Sequence, residues 1–268
     1  MRISGATVLL TGATGGIGRA LAHRLAAEGA SLVLTGRRTD ALDALAAELG
    51  ARSVAADLSD PGQVRRLVDD CAGVDVLVAN AALPASGDLL DYRTEQIDRA
   101  LAVNLTAPVM LARLLAPGMA AAGRGHLAFI GSMSGKAATP YSSLYTATKF
   151  GLRGFAHSLR QDLADAGVGV SLVQPGFVSE AGMFADTGAA VPSGVRTVTP
   201  AQVAGAVVRA VTEDRGEINI APLRLRLRCA VANQFPGFAE RARRGGARGA
   251  GDAADAARQV VEAQRALR

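Results

Sequence analysis

The chain has 268 residues, 49% hydrophobic and 4% aromatic, with no tryptophan, enough for one large domain around an aliphatic core. Its two widely separated cysteines, Cys71 and Cys229, argue against a disulfide framework or a zinc site and for a reducing, cytoplasmic setting. The net charge of +5 belongs to the end of the chain: residues 223–268 hold ten arginines against four acids, which leaves the first 222 residues at −1.

The opening MRISGATVLLTG meets glycine too early for a signal peptide. No apolar run reaches about 18 residues, so no membrane-spanning helix is expected. ATVLLT (6–11) is a short apolar run, followed by a helical pattern with Ile17, Leu21 and Leu25. ASLVLTG (30–36), RSVAADL (52–58), VDVLVAN (74–80), HLAFIGS (126–132), VGVSLVQP (168–175) and GEINIA (216–221) repeat the strand pattern. Helical patterns fill 39–49, 61–72, 94–122, 143–166 and 200–213. Continuously apolar strands alternating with helices indicate a parallel sheet covered on both faces. The expected fold is α/β: a single-domain Rossmann-type doubly wound sheet of about seven strands over residues 1–222.

After residue 222 the pattern changes. LRLRLRCAV alternates leucine and arginine, then come Pro236-Gly237, a glycine-rich linker and a helix from near Asp252. This basic extension (223–268) has several uses open to it: an edge strand, a cover for a pocket, a subunit contact, or a seat on an anionic membrane. Nucleic acid is disfavoured, because its arginines lack interleaved aromatics.

TGATGGIG (11–18) stands where the first strand becomes the first helix. Gly12, Thr14, Gly15, Gly16, Ile17 and Gly18 form a turn that lets a diphosphate approach the free amides of a helix start. An ordinary glycine-rich turn has the same look. The second strand ends in Gly36-Arg37-Arg38. An acid there would bond a ribose 2′-hydroxyl. Arg37 and Arg38 offer donors to a 2′-phosphate instead, so NADP(H) is expected over NAD(H). Asp57-Leu58 ends the third strand, with Asp57 either at the adenine or capping the helix at Pro61. Asn80 and Ala81, in ANAA (79–82), end the fourth, where Asn80 can stitch strand ends together.

Of 29 basic residues only two are lysine, and one of them, Lys149, lies four residues after Tyr145. That spacing puts both on one helix face. A cation near a phenol lowers its pKa from about 10 and makes it a proton donor and acceptor. Tyr141 competes on the same face, but Pro140 suggests that it lies in the preceding loop.

TGATGGIG, ANAA, Asn104 in AVNLTAP, Ser132 in FIGSMSG, YTATK and QPGFV occur in the order of the short-chain dehydrogenase/reductase family, which residues 5–221 resemble. The resemblance implies that Tyr145 transfers the proton and that Ser132 polarises the substrate oxygen. Lys149 would hold the nicotinamide ribose and lower the tyrosine pKa. Asn104 would hold a water linking Lys149 to solvent. Pro175, Gly176 and Val178 would lie against the cofactor. Ser134 is a rival to Ser132 that the family spacing disfavours. The family often has a threonine where Glu180 stands, which leaves the nicotinamide carboxamide contact to Ser179 or Glu180. A lid over 177–199 carries Phe177, Met183 and Phe184, which with Ser134 and Tyr141 suit an apolar small-molecule substrate. The resemblance implies a ketone or aldehyde/alcohol oxidoreductase, and a homodimer or homotetramer is expected. The other reading, a non-catalytic dinucleotide sensor on the same fold, need not keep Ser132, Tyr145 and Lys149 together.

Overall fold

Alternate residues of each inner strand feed two separate cores in the computed structural model, which describes residues 1–71, 73–179 and 196–245. The strands are β1 (Thr7–Thr11), β2 (Ser31–Gly36), β3 (Arg52–Ala55), β4 (Val76–Ala79), β5 (Gly125–Ile130), β6 (Val168–Pro175) and β7 (Glu217–Ile220). They form one sheet in the order β3-β2-β1-β4-β5-β6-β7, with every pair parallel. On one face Val8, Leu10, Leu34 and Val78 meet α1 (Gly16–Ala27), α2 (Thr39–Leu49) and α7 (Pro200–Thr212). On the other, Leu9, Val33, Leu77 and Phe129 meet α3 (Pro61–Asp69), α5 (Ala107–Ala121) and α6 (Ser143–Asp162). Burial on both faces is why these strands read as unbroken apolar runs.

The chain order reverses beside β1, whose neighbours are β2 and β4. The loops leaving those strands diverge and open a crevice at the carboxyl edge, where doubly wound sheets bind ligands. Strand ends are shorter than the apolar runs. β3 stops at Ala55, so Asp57 and Leu58 lie beyond the ladder, in the loop at that edge. The expected helix 94–122 is α4 (Thr94–Leu101), a π-helical turn (Ala102–Thr106) and α5 in one run. By length and composition this run, Thr94–Ala121, is the one described helix able to cross a membrane. Here Leu111 and Leu115 of α5 fill the domain core.

The tail corrects one expectation. The Leu/Arg alternation does not form an edge strand but a helix, α8 (Leu223–Gln234), followed by α9 (Pro236–Gly245). Leucine and arginine are both good helix formers. Pro222, with φ −54°, stands at the N-cap, where its missing N–H costs nothing. Only two residues separate β7 from α8. Most of the expected glycine linker and the helix near Asp252 lie outside the described residues.

Candidate active site

The glycine turn joins β1 to α1. Gly12 has φ +65°, and a Cβ on Gly18 would stand 2.0 Å from the Gly12 carbonyl oxygen. Larger residues would push the turn off the helix. Gly15 caps α1 without a side-chain bond, and no acid lies in the first turn. The end of α1 therefore keeps its free amides and positive dipole for an anion, and the cradle fits a dinucleotide diphosphate. Asn80 braces it as expected. Its Nδ2 donates to the carbonyls of Thr11 and Gly12 at 3.0 and 3.2 Å. Thr11 Oγ1 also accepts from the amides of Asn80 and Ala81, each at 3.0 Å. The sequence reading had missed Thr11.

The two arginines after Gly36 part ways. Arg38 folds back and donates to the Thr14 carbonyl at 2.6 Å, while Arg37 is exposed at the rim. Asp57 does not cap α3; Asp60 does, accepting from the amides of Gly62 and Gln63. Asp57 instead accepts from the amide and hydroxyl of Ser59, and from Arg99 at 3.1 Å. Partial burial would raise its pKa, but these bonds and the Arg99 and Arg37 charges hold it below the usual value.

Ser132, Tyr145 and Lys149 come together where β5 ends against α6. Tyr145 lies in the first turn of α6, and its amide donates to Ala85 at 3.1 Å. Its hydroxyl lies beside the Ser132 side chain, which acts to lower its pKa. Ser132 Oγ also accepts from the Ser134 amide at 3.1 Å, so Ser134 supports Ser132 rather than replacing it. A Cβ on Gly135 would lie 2.8 Å from the Lys149 carbonyl; glycine lets this loop sit against the helix. Lys149 Nζ, buried, donates to the Ile130 carbonyl at 2.9 Å and lies 5.6 Å from the centre of the Tyr145 ring. Tyr141 is in the loop before α6, at φ +56°, and its carbonyl accepts from Gly87 at 2.6 Å.

The electrostatics depart from expectation. Burial pushes the Tyr145 phenol up to about 12, against the opposing effect of the Ser132 side chain. Lys149 is not among the groups that act on the phenol, so the expected lowering by it is not seen, and desolvation penalises phenolate. Burial also pushes Lys149 down to about 8.

Asn104 sits in the π-helical turn, 1% exposed. Its Oδ1 accepts from the Leu83 amide at 2.7 Å and its Nδ2 donates to the Leu83 carbonyl at 3.0 Å, pinning the loop after β4. Pro175 ends β6, and the Gly176 amide donates to Ile220 at 2.8 Å. Val178 is buried and pairs with Val198. Ser179 donates from both its amide and its hydroxyl to the Val198 carbonyl, at 2.9 and 3.3 Å. Phe177 is partly exposed beside them. Glu180, Met183 and Phe184 lie outside the described residues.

One group escaped the sequence reading. Glu217, at the start of β7, takes bonds from Lys136 of the Ser132 loop and from Arg153 (3.0 Å) on α6. His157 of α6 and Asn219 approach it at 2.9 and 3.0 Å. Its burial alone would raise its pKa, but the four donors bring it down to about 2. Glu217 thus ties the serine loop and the tyrosine helix to the same strand. Its only sequence signal is a lone acid in the apolar run GEINIA.

A diphosphate cradle on a doubly wound sheet, beside a half-buried tyrosine with serine next to it and a buried lysine beneath its ring, defines a class: dinucleotide-dependent oxidoreductases. Comparison with known proteins agrees. Residues 6–191 match the short chain dehydrogenase family model. The chain is 36% identical over 225 residues to the ketoacyl reductase HetN of Nostoc sp., 81% of this chain and 78% of that one. It is 35% identical over 186 residues to dehydrogenase/reductase SDR family member 7B of Mus musculus, 65% of this chain and 58% of that one. A solved metagenomic short-chain oxidoreductase in complex with NADP superposes with a TM-score of 0.70 at 33% identity, covering 83% of this chain and 99% of the other. The chain belongs to the short-chain dehydrogenase/reductase family and is an oxidoreductase acting on CH–OH donors. The NADP-bound neighbour points to a nicotinamide dinucleotide as its cofactor.

Proposed function

We propose that this chain is an NADP(H)-dependent carbonyl reductase, interconverting a ketone or aldehyde and an alcohol on an apolar substrate. The observation that carries the reading is buried Lys149, whose Nζ donates to Ile130 at 2.9 Å and lies 5.6 Å from the centre of the Tyr145 ring, with Ser132 beside the phenol. The dinucleotide supplies the hydride when bound. Tyr145 gives the proton to the developing alkoxide, and its raised pKa keeps that proton in place at neutral pH. The phenol is therefore poised for reduction, and oxidation through it gains as pH rises. Ser132 Oγ accepts from Ser134, which orients the hydroxyl so that its proton can turn from the phenol to a substrate oxygen and polarise it. Lys149 contributes a cation at the ribose and beneath the phenol. Asn104 and Glu217 hold the surrounding loops in place.

The phosphate preference rests on Arg37, exposed at the end of β2, and on the absence of an acid at Gly36. Phe177, on the turn after β6, supports an apolar substrate. A screen of NADPH and NADH consumption over ketones and aldehydes of varied size tests the whole reading. The expected result is turnover with NADPH, favouring apolar ketones. No turnover of any carbonyl with either dinucleotide would reject it.

A further inference from the structure

The tail leaves an apolar stripe uncovered. Leu223, Leu227 and Val231, four residues apart on one side of α8, are 66%, 57% and 45% exposed. Phe235 and Phe238 carry the exposed surface into α9. The other side of α8 does the packing: Cys229 is buried, and a Cβ on Gly176 would lie 3.5 Å from Leu225 Cδ2. Arg224, Arg226 and Arg228 are exposed around the stripe.

The position matters as much as the composition. α8 begins three residues beyond the carboxyl end of β7, on the edge of the sheet that carries Ser132 and the Pro175–Phe177 turn. Leu89 and Leu90, in the loop after β4, are exposed on that same edge. Among the described residues, all the exposed large hydrophobic side chains except Phe150 belong to the tail or to these loops.

We propose that this surface docks on an anionic lipid bilayer. An interfacial helix sinks its apolar side chains to the acyl boundary while arginine stems reach back to lipid phosphates. Residues 223–245 hold six arginines against one acid, while residues 1–222 carry −1, so the attraction favours this surface. A second copy fits it poorly. Two-fold pairing of the stripe would set arginine against arginine, and interface cores are depleted of charge. The placement rests on the tail and the exposed loops beside it and stands apart from the catalytic reading.

The test sediments the full chain with phosphatidylcholine vesicles, with and without phosphatidylglycerol. The expected result is pelleting with the anionic vesicles only, weakened by salt. Arg224→Gln/Arg226→Gln/Arg228→Gln lowers partitioning about a hundredfold, and the matching triple lysine variant restores it. Leu227→Ser/Val231→Ser/Phe235→Ser also abolishes pelleting, with the melting temperature unchanged in each variant. Absence of pelleting, or equal pelleting with both vesicles, overturns the proposal. So does a dimer in analytical ultracentrifugation that the serine variant dissociates, because a second copy would then cover the stripe.

Discussion

The proposed catalytic corner and the proposed nucleotide-selecting rim lie on the same sheet edge but are built differently. At the corner, Lys149 and Asn104 are buried and Ser132, Tyr145, Lys149 and Asn104 each hold a hydrogen bond within the fold. At the rim, Arg38 is tethered to the turn while Arg37 stands exposed. Charge stabilisation in a transition state requires groups that do not reorganise, so the corner is preorganised. A phosphate grip can close around its ligand, so the rim is left loose. Substitutions at the corner should therefore damage the rate, and substitutions at the rim should damage affinity.

Ser132→Ala breaks the corner most simply. It is expected to slow single-turnover carbonyl reduction about a hundredfold or more, with NADPH affinity unchanged in a fluorescence titration. Lys149→Met is expected to cost about as much in rate without lowering the melting temperature, because it also removes a buried cation. It carries a pH signature too. Lys149, pushed down to about 8, is charged below that pH and neutral above it. The reduction rate of the wild type should fall as pH rises through about 8, and that limb should vanish in Lys149→Met.

Glu217→Gln sharpens the comparison from outside the corner. It removes the charge that Lys136, Arg153 and His157 converge on. The expected effect is about tenfold in kcat, with KM little changed, and a loss of about 2 kcal/mol in urea unfolding. Wild-type values for both would reduce Glu217 to a surface contact. The smallest effect belongs to the rim. Arg37→Ala should weaken NADPH binding about tenfold and leave NADH binding alone. Equal losses for both dinucleotides would remove the 2′-phosphate assignment.

The sheet was readable in the sequence because both its faces are buried: runs such as VLL in β1 feed two cores at once. The Tyr145–Lys149 pair was readable because helical spacing alone puts them together. Other features depend on partners remote in the chain. Glu217 meets Lys136 across 81 positions, and nothing in GEINIA announces that meeting. The π-helical turn at Asn104 lies inside a continuous helical pattern, which hides it. The phenol was expected below its usual pKa, and burial reversed the sign, because desolvation is set by packing rather than by spacing. The Leu/Arg alternation left an edge strand open among other uses, yet the residues after Pro222 form a helix whose inner side rests on Gly176.

The central claim is that the half-buried phenol of Tyr145 delivers the proton during carbonyl reduction. The direct measurement is the single-turnover rate of NADPH oxidation in Tyr145→Phe at neutral pH, beside NADPH binding to the same variant. A rate lower by about a thousandfold with binding retained is the result predicted here. A wild-type rate in a variant that still binds NADPH would contradict it.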